Sequence, residues 1–284
     1  MIAGIELGGT KTVVAYGDPD GRVAAEWRFP TTDPHETLAR AVAWLAEKGC
    51  PEAIGIASFG PLGISPDRPG YGQLLATPKP GWSGFSLTEA LATAFPRARL
   101  SIDTDVNAAA LAEARLGAGL GVENLAYITI GTGIGAGILN KGRPLHGATH
   151  PEFGHLKIPR APGDAFRGIC PFHRDCLEGM ASGPAILARW GHAAAELPAE
   201  HPAWELEAWY LAHGILALLA VASPARILIG GGVSQADGFH AMTAQHLSQI
   251  AGGYFPAIDA PDFIAPPALG QQAGIHGALL LAGS

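Results

Sequence analysis

Three times in this chain a short apolar run ends abruptly in glycine: residues 2–7 at Gly8-Gly9, 127–130 at Gly131-Thr132-Gly133, and 226–229 at Gly230-Gly231-Gly232. Short apolar runs bounded by turn residues read as buried strands. Backbone N–H groups exposed in a glycine turn at a strand end suit phosphate oxygens, and Thr10 and Thr132 add hydroxyls beside them. One such run is an ordinary turn. Three at strand ends point to a ligand that carries phosphate. Neither a Walker A loop nor a spaced dinucleotide fingerprint is present, so the binder is of a different class.

The rest of the chain alternates strands and helices, which makes an α/β architecture. Residues 12–16 and 23–29 continue the first strand into a hairpin-rich sheet, with Asp18-Pro-Asp-Gly21 as turn chemistry. Leu38, Val42 and Leu45 share a helical face that ends near Gly49. Residues 54–58 and 100–103 are strands, and 60–80, rich in Pro and Gly, is a long loop of the kind that serves function. A helix spans 106–116 and closes at Gly117 and Gly119. Residues 145–180 read as loop, ordered by metal ligands rather than by packing, and 204–221 is a long helix. A boundary near 115–125 divides the chain into domains 1–117 and 118–284 flanking one cleft, with a last helix, about 271–282, free to pack back on the first.

Composition excludes several classes. A net charge of -7 with only 18 Lys and Arg gives no footprint for nucleic acid or an anionic membrane. The N-terminus has no basic leader, and the longest apolar stretch, near 215–222, is too short to span a bilayer. Three cysteines cannot all pair, and two stand at ligand-like spacing, so a reducing cytoplasm is the expected compartment.

Those two are in Cys170-x2-His173-x2-Cys176, with His155 upstream. Two thiolates and two imidazoles form a soft tetrahedral set suited to zinc, and a full set of four ligands is structural rather than catalytic. His146 and His150 compete with His155 for the fourth position, and spacing does not separate them. The alternative is surface histidines beside small buried thiols.

Asp103, Asp105 and Asn107 alternate at a strand end that leads into a helix. Either aspartate could serve only as a helix cap. A carboxylate there could also accept the proton of an alcohol in line with a phosphoryl group. Glu6 stands in an apolar strand just before the first glycine turn, where an unpaired carboxylate is costly; Lys11 and Lys79 are candidate partners.

Gly4-Ile-Glu-Leu-Gly-Gly-Thr-Lys11, Asp103-Thr-Asp-Val-Asn107, Ile130-Gly-Thr-Gly-Ile-Gly135, Glu152-Phe-Gly-His155 and the cysteine cluster, in this order, resemble the ROK family of sugar kinases. Ser58-Phe-Gly-Pro61 and Thr77-Pro-Lys-Pro-Gly-Trp82 resemble its bacterial fructokinase branch. The resemblance implies the actin-like ATPase (ribonuclease H-like) fold, with two domains flanking a nucleotide and sugar cleft. It implies ATP as phosphoryl donor, with Gly8, Gly9, Thr10, Lys11, Gly131, Thr132 and Gly133 at its phosphates and Gly231 and Gly232 by the nucleoside. It selects Asp105 as general base, and Asn107, Glu152, His155 and Glu178 as sugar contacts. His155, Cys170, His173 and Cys176 become the zinc ligands; many relatives carry cysteine where this chain has His173. Glu6, aspartate in most relatives, is expected to meet magnesium through water. The implied activity is ATP-dependent phosphorylation of D-fructose at O6 by a cytoplasmic homodimer. Glucokinase, mannokinase or broader hexose kinase activity is the alternative. A non-catalytic sugar-binding protein and a sugar-responsive repressor are weaker readings, the repressor because the kinase-like strand starts at Ile2 and the chain is acidic.

Overall fold

A computed structural model describes residues 1–284. Strands β1 (Ile2–Leu7), β2 (Lys11–Gly17) and β3 (Val23–Pro30) open the chain as two successive antiparallel pairs. Helix α1 (Pro34–Lys48) starts where the Asp33 side chain accepts the N–H groups of His35 and Glu36, and it stops at Gly49. Strand β4 (Ala53–Ser58), helix α2 (Leu87–Ala94), strand β5 (Arg99–Thr104) and helix α3 (Asp105–Leu116) follow. Strands β6 (Leu125–Ile130) and β7 (Ile134–Asn140) form a second antiparallel hairpin, with the short β8 (Arg143–Pro144) beyond it. Helices α4 (Leu177–Ala181), α5 (Gly183–Trp190) and α6 (Ala203–Ala222), strand β9 (Arg226–Gly230), helix α7 (Phe239–Ala251), strand β10 (Ile264–Ala265) and helix α8 (Ala273–Gly283) complete the chain.

Two five-stranded mixed sheets result, in the orders β3-β2-β1-β4-β5 and β10-β9-β6-β7-β8. The chain divides into two compact units. One comprises residues 1–116, 144–151 and 269–284, the other 117–143 and 152–268.

In the first unit, β1, β4 and β5 run parallel and carry Glu6, Ser58 and Asp103 toward the same sheet end. Helix α8 covers β1 and β4 at unusually short range. A Cβ on Gly55 would lie 1.8 Å from the Ala278 carbonyl oxygen, and one on Gly277 would lie 2.0 Å from that of Ala108. The loop between β4 and α2 is not merely surface. Leu62, Ile64, Leu74 and Trp82 are buried in this unit's core, and the Trp82 indole N–H donates to the Thr32 carbonyl at 2.9 Å.

In the second unit, α6 is the central core helix. It is long and apolar enough by composition to cross a membrane, which the shorter apolar run read from the sequence understated. Here Tyr210, Leu211, Ile215 and Leu218 are buried in the unit's core. Residues 134–140, to which the sequence assigned no element, are a strand whose periodicity is hidden by Gly135 and Gly137 at alternate sites. The segment 145–180 is mostly irregular, but packing contributes to its order: Phe153, Leu177 and Met180 enter the core.

Glu207 on α6 is buried with neither carboxylate oxygen hydrogen-bonded. The cation whose charge reaches it, Arg189, is already bound to Asp164 at 2.5 Å and to the Met180 carbonyl at 3.0 Å. Burial therefore pushes the Glu207 carboxyl from 4.5 up to about 8. Below 4.5 both states hold the proton; between 4.5 and about 8 the unfolded chain releases it first, so stability is lost as pH rises. Glu207→Gln keeps the shape without the charge. Denaturant unfolding should find it close to wild type near pH 4.5 and more stable by about 4–5 kcal/mol near pH 8.5. A parallel pH dependence in the two proteins would contradict the assignment.

Candidate active site and metal centre

The β5–α3 junction gathers the polar groups of the first unit. Asp103 is buried, and its Oδ1 accepts the Thr104 N–H at 2.7 Å and the Asn107 amide Nδ2 at 2.7 Å. Its Oδ2 lies 2.9 Å from Nε2 of His146. The Thr104 hydroxyl accepts the Asn107 N–H at 3.2 Å, so threonine provides the side-chain cap of α3. Asp105 is the first residue of that helix and accepts the Val106 N–H at 2.9 Å, where the helix field favours a negative charge. Asp103 is thus a hub of local structure, while the side-chain cap that the sequence offered to either aspartate falls to Thr104.

The two rival histidines are used elsewhere than at the metal. His146 is on Asp103, whose hydrogen bond raises the imidazole pKa above 6.5. His150 accepts the Leu62 N–H at 3.1 Å.

Glu6 points from β1 at Gly274, where a Cβ would come within 2.5 Å of its carboxyl carbon. Its Oε2 has no hydrogen-bond partner, and burial raises its pKa from 4.5 to about 7, against an opposing pull from Lys11. Lys79, offered by the sequence as a partner, instead donates its ammonium to the Gly9 carbonyl. That puts a cation on the first glycine turn, a feature the sequence reading missed although it singled out the surrounding Thr-Pro-Lys-Pro-Gly-Trp stretch.

Two of the three glycine turns join hairpins: Gly8 N–H bonds the Lys11 carbonyl at 3.0 Å, and Gly131 N–H bonds that of Gly133 at 2.9 Å. Gly9, Thr10 and Thr132 are exposed at the tips. The third turn has a stricter requirement. Gly231 has φ +94°, and a Cβ there would lie 2.3 Å from the Ile130 carbonyl oxygen, so the turn after β9 is pressed onto the end of β6. Gly232 beside it is exposed.

In the second unit, His155, Cys170, His173 and Cys176 converge, with all ligand atoms within 4.8 Å of one another. His155 Nδ1 is 3.8 Å from Cys170 Sγ and 3.6 Å from Cys176 Sγ, and His173 Nδ1 is 3.8 Å from Cys170 Sγ. Metal bonds of about 2.3 Å to sulfur and about 2.0–2.1 Å to nitrogen, at tetrahedral angles, require an S···N separation of roughly 3.6 Å. The donor set and its spacing therefore fit a tetrahedral metal ion such as zinc. The backbone is shaped for it: Cys170 and Arg174 exchange N–H···O bonds of 3.2 and 2.9 Å, and Lys157 donates to the His173 carbonyl at 2.8 Å. Burial, and secondarily Cys170, push the Cys176 thiol up to about 11, so an incoming metal must displace its proton.

Glu178, two residues after Cys176, ties this centre to the second glycine turn. Its Oε2 accepts the Ile134 N–H at 2.9 Å, and a Cβ on Gly133 would lie 2.7 Å from that oxygen. Glu152 precedes the short 3-10 turn Phe153–His155, whose Gly154 lets it press on the Ile134 carbonyl oxygen, 2.0 Å from where a Cβ would lie, with Glu178 Cβ at 3.4 Å. The structure thus brings Glu178, the Glu152–His155 turn and the metal set together within one unit.

Residues 2–284 match the ROK family. The chain is 45% identical to a fructokinase of Zymomonas mobilis over 98% of its own length and 95% of that protein's, and 39% identical to a fructokinase of Pediococcus pentosaceus over 99% and 97%. Its structure is similar to the crystal structure of a ROK hexokinase from Thermus thermophilus, with a TM-score of 0.79 at 28% identity, covering 99% of this chain and 97% of that one. With its two mixed sheets, its glycine turns and this full-length similarity, the chain belongs to the ROK family and has the actin-like ATPase fold of the family's sugar kinases.

Proposed function

We propose that this protein is an ATP-dependent fructokinase that converts D-fructose to fructose 6-phosphate. What carries the reading is the near full-length similarity to fructokinases, 34–45% identical in four bacteria. A broader hexose kinase is the second reading, favoured by the similarity to a hexokinase structure.

Asp105 accepts the proton of the attacking sugar hydroxyl as that oxygen approaches the terminal phosphoryl group. Gly9, Thr10 and Lys11, with Thr132 and Gly133, supply backbone N–H groups, hydroxyls and a cation to the phosphates, while Gly8 and Gly131, whose N–H groups close the two turns, shape them; Gly231 and Gly232 lie by the nucleoside. The Lys79 ammonium on Gly9 adds positive charge where phosphate charge must be balanced. Magnesium bound with the nucleotide would neutralise phosphate charge, and the partnerless Oε2 of Glu6 suits a water on such an ion.

Asn107, Glu152, His155 and Glu178 hold the sugar. Because Glu178 Oε2 is engaged by Ile134, its other oxygen is the one that meets a hydroxyl. His155 turns Nδ1 to the thiols, so Nε2 is its substrate-facing nitrogen, and the ring's direction is set by the metal. His155, Cys170, His173 and Cys176 hold zinc, which supplies structure to a loop with a small apolar share. The free state of Cys170 and Cys176 suits the cytoplasm, and we expect a homodimer by family resemblance.

A coupled assay over a hexose panel should give fructose a kcat/KM at least about 10-fold above glucose and mannose. Preference for an aldose would overturn the assignment in favour of the second reading. Asp105→Asn should lower kcat by about 10²–10⁴-fold while calorimetric sugar binding persists; turnover near wild type would remove Asp105 from its role. Metal analysis should find about one zinc per chain in wild type and almost none in Cys176→Ser, with a lower melting temperature. Equal zinc in both would refute the ligand set.

A further inference from the structure

Asp103 and His146 form a charged pair at the β5–α3 junction that the reaction as described leaves unused. Hydrogen-bond chemistry fixes the protons in it. A carboxylate only accepts, so the Asn107 atom 2.7 Å from Asp103 Oδ1 must be the amide nitrogen. By the same argument His146 Nε2, 2.9 Å from Asp103 Oδ2, must carry a proton. The 3.4 Å approach of Asn107 Nδ2 to that nitrogen then sets two donors side by side and is not a hydrogen bond between them.

Asp103 is therefore fully engaged, with three donors around a side chain only 3% exposed. The imidazole it holds is different. The His146 side chain is 38% exposed, and its hydrogen bond to Asp103 runs through Nε2. A buried carboxylate, itself two residues of chain from the proposed base Asp105, thus fixes the ring of a half-exposed histidine through Nε2 and leaves Nδ1 turned away from that bond. Burying a charge is costly, and orienting a ligand-facing imidazole through its second nitrogen is a recurrent use of such a carboxylate. Asp103 also raises the imidazole pKa, which favours the charged ring, with N–H on both nitrogens.

We propose that His146, oriented by Asp103, is a further sugar-binding residue whose Nδ1 hydrogen-bonds a hydroxyl of the acceptor. The proposal rests on the sugar kinase reading above. With the ring charged, Nδ1–H donates to the hydroxyl oxygen and makes a charge-assisted bond. This function gives the segment 144–151 a role at the acceptor separate from the metal-binding segment that follows it.

The test pairs kinetics with imidazole NMR. In His146→Ala the KM of the hexose that wild type phosphorylates best should rise about 10-fold or more, as expected for a lost hydrogen bond to a charged group, while the KM of ATP stays within about 2-fold. In wild type labelled with 13C,15N-histidine, the His146 Nδ1 resonance, assigned through its bonds to the His146 side chain and backbone, should move on saturation with that hexose and not with ATP alone. A hexose KM within about 2-fold of wild type in the folded variant would overturn the proposal. So would an unmoved Nδ1 resonance, and this second measurement decides the matter if the variant does not fold. Should the panel favour a hexose other than fructose, the substrate assignment falls while the His146 test proceeds with that sugar. Should no hexose be phosphorylated, titration of the labelled protein with the same panel decides: a shift with any hexose supports the site, and none overturns it.

Discussion

The close seating of α8 on β1 and β4 is the contact on which the first unit depends. Helix α8 is apolar on nearly every face, with Ile275, Ala278, Leu279 and Ala282 buried, so it must be surrounded. Gly4 and Gly55 on the strands, with Gly277 on the helix, remove the side chains that would hold the backbones apart. The distances leave no space for a methyl group at Gly55 or Gly277. Because Gly277 meets Ala108 in the second turn of α3, the same contact fixes α3, and with it Asp105 and Asn107. Gly274 at the start of α8 leaves the space that Glu6 fills. Two acidic residues central to the proposed chemistry are thus positioned by a helix from the far end of the chain.

Where the chain cannot bury enough apolar surface, polar groups hold it instead, and the structure contains three outcomes of that choice. Asp103 is buried and fully hydrogen-bonded, and it pins His146 in an otherwise irregular segment. The His–Cys set closes a mostly irregular loop that reaches the core at few points, chiefly through Phe153 and Leu177 at its ends and Ala161 between them. Glu207 is buried with no hydrogen bond and resolves its cost by holding a proton. Satisfied charge orients a neighbour, whereas unsatisfied charge becomes neutral. Glu6 lies between these cases, close to a lysine in its field but with one oxygen unpartnered.

Much of the architecture was legible. The apolar runs before the glycines are strands β1, β6 and β9, and the helices at 34–48, 105–116 and 203–222 follow their caps or apolar spacing closely. Strand β7 was not, because two glycines occupy its alternate positions. Helices α2 and α5 are only eight residues long, too short for a periodic signal, and α7 buries Thr243 on the same face as Phe239 and Leu247. The cysteine cluster was visible because Cys170, His173 and Cys176 are close in sequence. The fourth ligand was ambiguous among three histidines until the fold gave His146 to Asp103 and His150 to the Leu62 backbone. Lys79 carried no spacing signal toward Gly9, since seventy residues separate them.

What the sequence by itself determined was local: which runs extend, where they turn on glycine, which residue types cluster within a few positions, and through those motifs the family. Such features depend on backbone sterics and short-range periodicity, which a linear pattern encodes. The tertiary structure decided which distant groups share a hydrogen bond: Asp103 with His146, Glu178 with Ile134, Lys79 with Gly9, and Glu6 beside Gly274. These pairings arise from how closely helices and strands can approach and from which buried polar atoms must find partners. Neither condition exists until the chain has folded around its two cores.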